Sequence, residues 1–116
     1  MCSILNKLEE IYYNNLVYRT IIVCDDTDKY KNFLNMNNYD VFIIDNYNDN
    51  IEYEVLDVRI LLINANNLIS FISCYYNNEN TNIPFYSHII FDTFENTNNN
   101  LKRQYKKISK NNTQLI

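Results

Sequence analysis

Aspartates stand where the hydrophobic runs of this chain stop: Asp25, Asp26 and Asp28 follow TIIVC, Asp45 follows VFII, and Asp92 follows IIF. A carboxylate is a hard oxygen ligand, and several brought together can share a magnesium ion. In an open α/β sheet, ligands bind beyond the carboxyl ends of the strands. If these runs are parallel strands, Asp25, Asp45 and Asp92 are the candidate metal ligands. The competing reading is structural, because aspartate commonly ends a strand or caps a helix. A phosphatase-like DxDx(T/V) pattern is started by Asp26-Thr27-Asp28, but Tyr30 fills its last place. His88 is the one histidine, and without a second histidine or a nearby cysteine it supports neither metal binding nor nucleophilic catalysis.

Glycine is absent from all 116 residues. A phosphate-binding loop needs glycines for positive φ and for close approach of the backbone to the phosphates. Ordinary nucleotide hydrolysis and dinucleotide binding are therefore not expected. A second kind of chemistry is offered by Lys102, Arg103, Lys106, Lys107 and Lys110, which recur at helical spacing with Tyr105 among them. Such a face can meet phosphates, and an aromatic side chain there can stack on a base. Its plain alternative is a solvated terminal helix, or one that folds back onto an acidic body. All fourteen acids lie between Glu9 and Glu95, so the net charge of −4 conceals an acidic body and a basic tail.

The length fits one domain. No run is long and apolar enough to span a bilayer, and acids stand where a signal peptide would be apolar, so an intracellular protein without membrane association is expected. Three scattered cysteines, Cys2, Cys24 and Cys74, make neither a disulfide framework nor a zinc spacing. Asparagine makes up about a fifth of the chain, and isoleucine and tyrosine are abundant. These are residues of AT-rich codons. The bias points to an AT-rich genome, such as that of a large DNA virus, with host cytoplasm or virion as the compartment in that case.

Periodicity supplies the elements that must position these residues. Apolar positions at 4, 5, 8, 11 and 12 predict a helix over 3–16, with Ser3 as its N-cap. Strands are expected at 18–24, 40–45, 58–64 and 87–92, and 51–57 is ambiguous between an edge strand and a turn of helix. Helices are expected from the Asp25–Asp28 cluster to Met36, from Asn66-Asn67 to Tyr76, and over 100–109. This alternation predicts an α/β protein with a small, mostly parallel sheet of four to five strands and helices on both faces. It forms a single domain over 1–100, followed by a basic tail over 101–116.

From TIIVCDD through DVFIIDN and VRILLINANNLISFI to PFYSHIIFDTFE, the chain resembles the middle of the first RecA-like lobe of superfamily 2 helicases and remodelling translocases, as in large DNA viruses. The likeness spans about 18–97. It implies that Tyr86–Asp92 falls on the family's Walker B segment, with Asp92 at the magnesium-associated position, and that Asn64–Leu68 lies near nucleic-acid backbone. It also implies the departures. Thr93 stands where the family has the glutamate that activates water, Glu95 stands where aspartate or histidine is usual, and the Walker A loop and the second lobe are missing. Phosphoryl transfer depends on those parts. A receiver-like arrangement is resembled only in the Asp25-Asp26 pair and Asp45, about 20 residues apart, and no lysine follows Asp92.

The expectation is a non-catalytic, helicase-like binding or scaffold domain that needs no cofactor and touches nucleic acid through its tail. The alternatives are a magnesium-dependent phosphate enzyme using the strand-end aspartates, or a structural component of a virion. With the phosphate-loop strand missing, strand 87–92 should lie at a sheet edge, where unpaired backbone recruits a protein partner or a second copy.

Overall fold

The computed structural model describes residues 2–13, 18–44, 58–77, 86–93, 95–108 and 113–116. Five parallel strands form one sheet: β1 (Thr20–Cys24), β2 (Val41–Ile44), β3 (Ile60–Ile63), β4 (His88–Asp92) and β5 (Gln114–Leu115). Their spatial order is β2-β3-β1-β4-β5. Among the described residues, four helices accompany them: α1 (Cys2–Tyr12), α2 (Thr27–Met36), α3 (Ala65–Asn77) and α4 (Glu95–Ile108).

β1 and β3 are buried at every position. This is why their sequences are continuous apolar runs rather than alternating ones. The pleat still sorts their side chains. Ile22, Cys24, Ile60, Leu62 and Ile90 face α1 and α2, packing with Ile4, Leu8, Tyr30 and Leu34. Ile21, Val23, Leu61, Ile63, Ile89 and Phe91 face α3 and α4, packing with Leu68, Phe71, Leu101 and Tyr105. Each helix therefore buries one stripe, and two cores lie on opposite sides of one sheet.

Local signals account for the helix ends. Asp26 caps α2, its Oδ1 accepting the Lys29 backbone N–H at 3.0 Å. The α2 exit closes through Asn38, which takes φ 68°, a left-handed conformation that asparagine tolerates better than most residues. Asn64 caps α3, its Oδ1 accepting from the Asn67 N–H at 3.0 Å. The N-cap thus sits two to three residues before the predicted pair at Asn66-Asn67. Ser3 lies inside α1 rather than capping it. The ambiguous stretch 51–57 lies outside the described residues.

Two expectations are corrected. β4 is not an edge strand: it pairs with β1 on one side and β5 on the other, and Ile90 has no exposed surface. The last residues supply the missing neighbour. Gln114 N–H donates to Ser87 O at 2.8 Å, Ile116 N–H to Ile89 O at 2.9 Å, and Phe91 N–H to Ile116 O at 3.1 Å. Thr113 adds a hydroxyl bond to Tyr86 O at 2.6 Å. An edge site for a partner or second copy at 87–92 is thereby removed. Residues 101–108 and 113–116 are also not a detached tail. Leu101, Tyr105 and Thr113 are buried, so α4 and β5 complete the domain.

Candidate functional site

β1 leads through α2 to β2 on one side of the sheet, and β4 leads through α4 to β5 on the other. Where neighbouring strands send their connections apart, a crevice opens beyond their carboxyl ends. In this chain that point is the register pair Cys24 and Asp92. Asp25, Asp26 and Asp92 are all exposed around it. Their influence reaches the buried Cys24 thiol. Burial, and then the negative charges of Asp92, Asp25 and Asp26, push its pKa up to about 12.

Among the described residues, the acids are nevertheless not organised as a ligand set. Asp26 is engaged in capping α2. Among the described residues, no group of three or more His, Cys, Asp and Glu side chains is placed to hold a metal ion. Asp45 lies outside the described residues. Beyond Asp92, the loop is fastened by Asn98. Its Oδ1 accepts from both the backbone N–H (3.1 Å) and the hydroxyl of Thr93, and its Nδ2 donates to Thr93 O at 3.1 Å. The Thr93 hydroxyl is therefore tied into a loop clasp.

The predicted nucleic-acid residues divide by face. Tyr105 is 2 % exposed and meets Phe91 edge-on, with ring centroids 6.4 Å apart. It is a core residue and has no ring face to offer a base, which corrects its assignment as a stacking platform. The correction has a simple cause: Leu101 and Tyr105 lie four apart and share the buried stripe of α4. That docking turns Arg103, Lys106 and Lys107 outward, where all three are exposed. Lys102 is half-buried, its ammonium 5.6 Å from the centre of the Phe91 ring. Lys110 lies outside the described residues. The neighbouring helix on this side of the sheet, α3, carries no charged residue. The acids of α1 and α2, namely Glu9, Glu10 and Asp28, are on the opposite side. Lys7, Lys29 and Lys31 lie on those same helices, so α1 and α2 together balance in charge, whereas the outward face of α4 presents bases.

Two further clusters lie at the amino ends of the strands, where periodicity gave no warning of them. Ser87 Oγ donates to Arg19 O at 3.1 Å and lies 2.7 Å from His88 Nδ1. Ser87 Oγ therefore sits within bonding distance of both the Arg19 carbonyl and His88 Nδ1, and the tautomer of His88 decides which of Ser87 and His88 donates to the other. Burial lowers the His88 pKa, and a bond with the Gln114 side chain partly opposes the shift. The second cluster surrounds Arg59. Its guanidinium lies 4.6 Å from the centre of the Tyr12 ring and 5.7 Å from that of Tyr39. Tyr12 bonds Thr20 Oγ1 at 2.8 Å and donates to Arg59 O at 3.0 Å. No short-range pattern signals this cluster, because Tyr12 and Arg59 are 47 residues apart.

No protein-family model matches this sequence, and no curated protein or solved structure is significantly similar to it. Among the described residues, no helix is long and apolar enough to cross a membrane.

Proposed function

We propose that this chain is a non-catalytic, helicase-like binding domain that engages nucleic-acid backbone through the outward face of α4. The observation that carries this reading is the split of α4: Leu101 and Tyr105 are locked in the core while Arg103, Lys106 and Lys107 project to solvent. A helix held by its apolar stripe presents its charges at fixed spacing, so little ordering is needed when phosphates bind. The uncharged α3 beside it leaves that side of the sheet free of competing acids along the helix. Support for a binding role over hydrolysis comes from the glycine-free sequence and from the Asn98 clasp on Thr93. Because the aromatic ring of this helix is buried, contact is with phosphate and not with bases, and discrimination between sequences is weak.

Fluorescence anisotropy on a labelled 20-nucleotide duplex tests the reading. Engagement of three to four phosphates gives a log–log salt slope of about −3. The triple variant Arg103→Glu, Lys106→Glu and Lys107→Glu should fold as before and lose binding. Unchanged affinity in that variant, with circular dichroism intact, overturns the proposal.

A further inference from the structure

We infer that the recess beside Arg59 binds an acidic side chain of a partner protein, taking the carboxylate on the Arg59 guanidinium and the flanking chain against Tyr13. The recess has a volume of about 460 Å³ and is lined by Glu9, Tyr12, Tyr13, Asn38, Tyr39 and Arg59, together with Asn37. It lies on the α1–α2 side of the sheet, away from the α4 face, and the inference does not depend on nucleic-acid binding.

The cation in this recess is built in rather than trailing in solvent. Tyr12 is held by two hydrogen bonds and Tyr39 lies beside it, ring centroids 6.1 Å apart. Arg59 rests over both rings. Stacking of this kind uses the face of a guanidinium and leaves its edge N–H donors available, and that planar fork matches a carboxylate. Among the described residues, Arg59 forms no ion pair, and the groups its guanidinium rests against are the Tyr12 and Tyr39 rings. Next to it, Tyr13 is 83 % exposed, whereas its neighbour Tyr12 is 6 % exposed. A large aromatic ring beside a stacked arginine is the composition found at energetic centres of protein interfaces.

Charge selects the occupant. Among the described residues, the recess holds one cation, Arg59, and one acid, Glu9. A phosphodiester strand or a phosphate dianion would gain a single guanidinium and meet the Glu9 charge. A carboxylate of a peptide needs only the one fork, and Glu9 can accept from a neighbouring peptide N–H. The exposed amide of Asn38, presented on the left-handed turn after α2, offers a further polar contact.

The probes are the terminally blocked tetrapeptide leucine–glutamate–alanine–leucine, its glutamine counterpart, and inorganic phosphate, each titrated into the isotope-labelled full chain and followed by NMR. Saturable shifts are expected at the Arg59 side-chain N–H and at the backbone amides of Tyr13 and Asn38, with a dissociation constant in the range of about 0.1–1 mM. The glutamine peptide should bind about tenfold more weakly, the difference being the charge-assisted bonds to Arg59. Tyr13→Ala should weaken binding several-fold without moving the thermal midpoint, since Tyr13 is exposed, and this variant stays informative if Arg59→Gln fails to fold. Equal affinity for the two peptides, tighter binding of phosphate, or shifts confined to α4 overturns the inference. So does a lack of saturation at concentrations tenfold above that range.

Discussion

Replacing Tyr105 by alanine tests whether α4 is a structural helix that carries charge or a charged helix that happens to touch the sheet. The side chain is 2 % exposed, packs edge-on against Phe91 and shares its core with Leu101, Phe71 and Ile89. Truncating a buried aromatic residue removes its transfer free energy and leaves a cavity, a loss of about 3–5 kcal/mol. A domain of this size has about 5–15 kcal/mol of stability in total, so a fifth or more is at stake. With a urea slope of about 1.5 kcal/mol/M, the unfolding midpoint should fall by roughly 2–3 M while the slope itself stays constant. β5 follows α4 in the chain and covers β4, so the damage should spread, and amide exchange at Ile89 and Ile90 should rise with that at α4. Arg103→Ala is the matched control. It is exposed on the same helix and should change stability by less than about 0.5 kcal/mol. A Tyr105→Ala protein within about 1 kcal/mol of the parent would refute the docking of α4, and with it the reason its basic residues point outward.

Four further outcomes follow from the same packing. Cys24, fully buried and with its pKa pushed up to about 12, should resist iodoacetamide at pH 8 in the folded chain and react only on unfolding, as mass spectrometry would show. Tyr12, raised to about 12 by burial, keeps its proton in the folded state longer than in the unfolded one; stability is therefore full below pH 10 and declines between about 10 and 12, and Tyr12→Phe should remove that decline in alkaline denaturation. For His88 the sign is reversed: its folded pKa lies below the ordinary 6.5, the unfolded state binds the proton first, and stability should drop as pH falls from 6.5 through the folded value, a drop absent in His88→Gln by urea melts at stepped pH. Asn38→Ala forces a Cβ without a compensating amide into φ 68° and should cost about 1 kcal/mol by the same melts.

Much of the fold was legible because its strands are buried on both faces. TIIVC, VFII, ILLI and HIIFD are continuous apolar runs of the kind parallel strands show, and the amphipathic stretches between them could only be crossovers. β5 was not legible. Gln114-Leu115 has no run and no periodicity, and it is a strand only because β4 offers it backbone partners. The edge expected at 87–92 followed from counting strands by family likeness, and two residues at the other end of the chain were enough to cancel it. Tyr105 was misassigned for a different reason. Leu101 and Tyr105 at i and i+4 form a buried stripe that is readable in the sequence, but the same five residues also read as basic with an aromatic interleaved. Which period prevails depends on whether the sheet has apolar surface left to cover, and that is a tertiary quantity. The Arg59 cluster was hidden in the same way, since its members meet only after β1, β3 and α1 have been placed.

The aspartate question turns on the same distinction between residue type and placement. Asp25, Asp26 and Asp92 do converge on the switch point, as the alternation of strands and helices requires of residues that end β1 and β4. Convergence alone does not make a ligand set. A magnesium ion needs carboxylates turned toward one point in near-octahedral geometry, while among the described residues no three such groups are placed to hold an ion, and Asp26 is turned to the first turn of α2. The same topology that gathers acids at the carboxyl ends places α4 along one sheet face with its bases outward. An approaching polyanion is repelled at the crevice and attracted at the helix. On the proposed nucleic-acid reading, a backbone would lie along the α4 face without any residue reading its sequence, and neutralising Asp25 and Asp92 with asparagine should strengthen that attraction rather than abolish it.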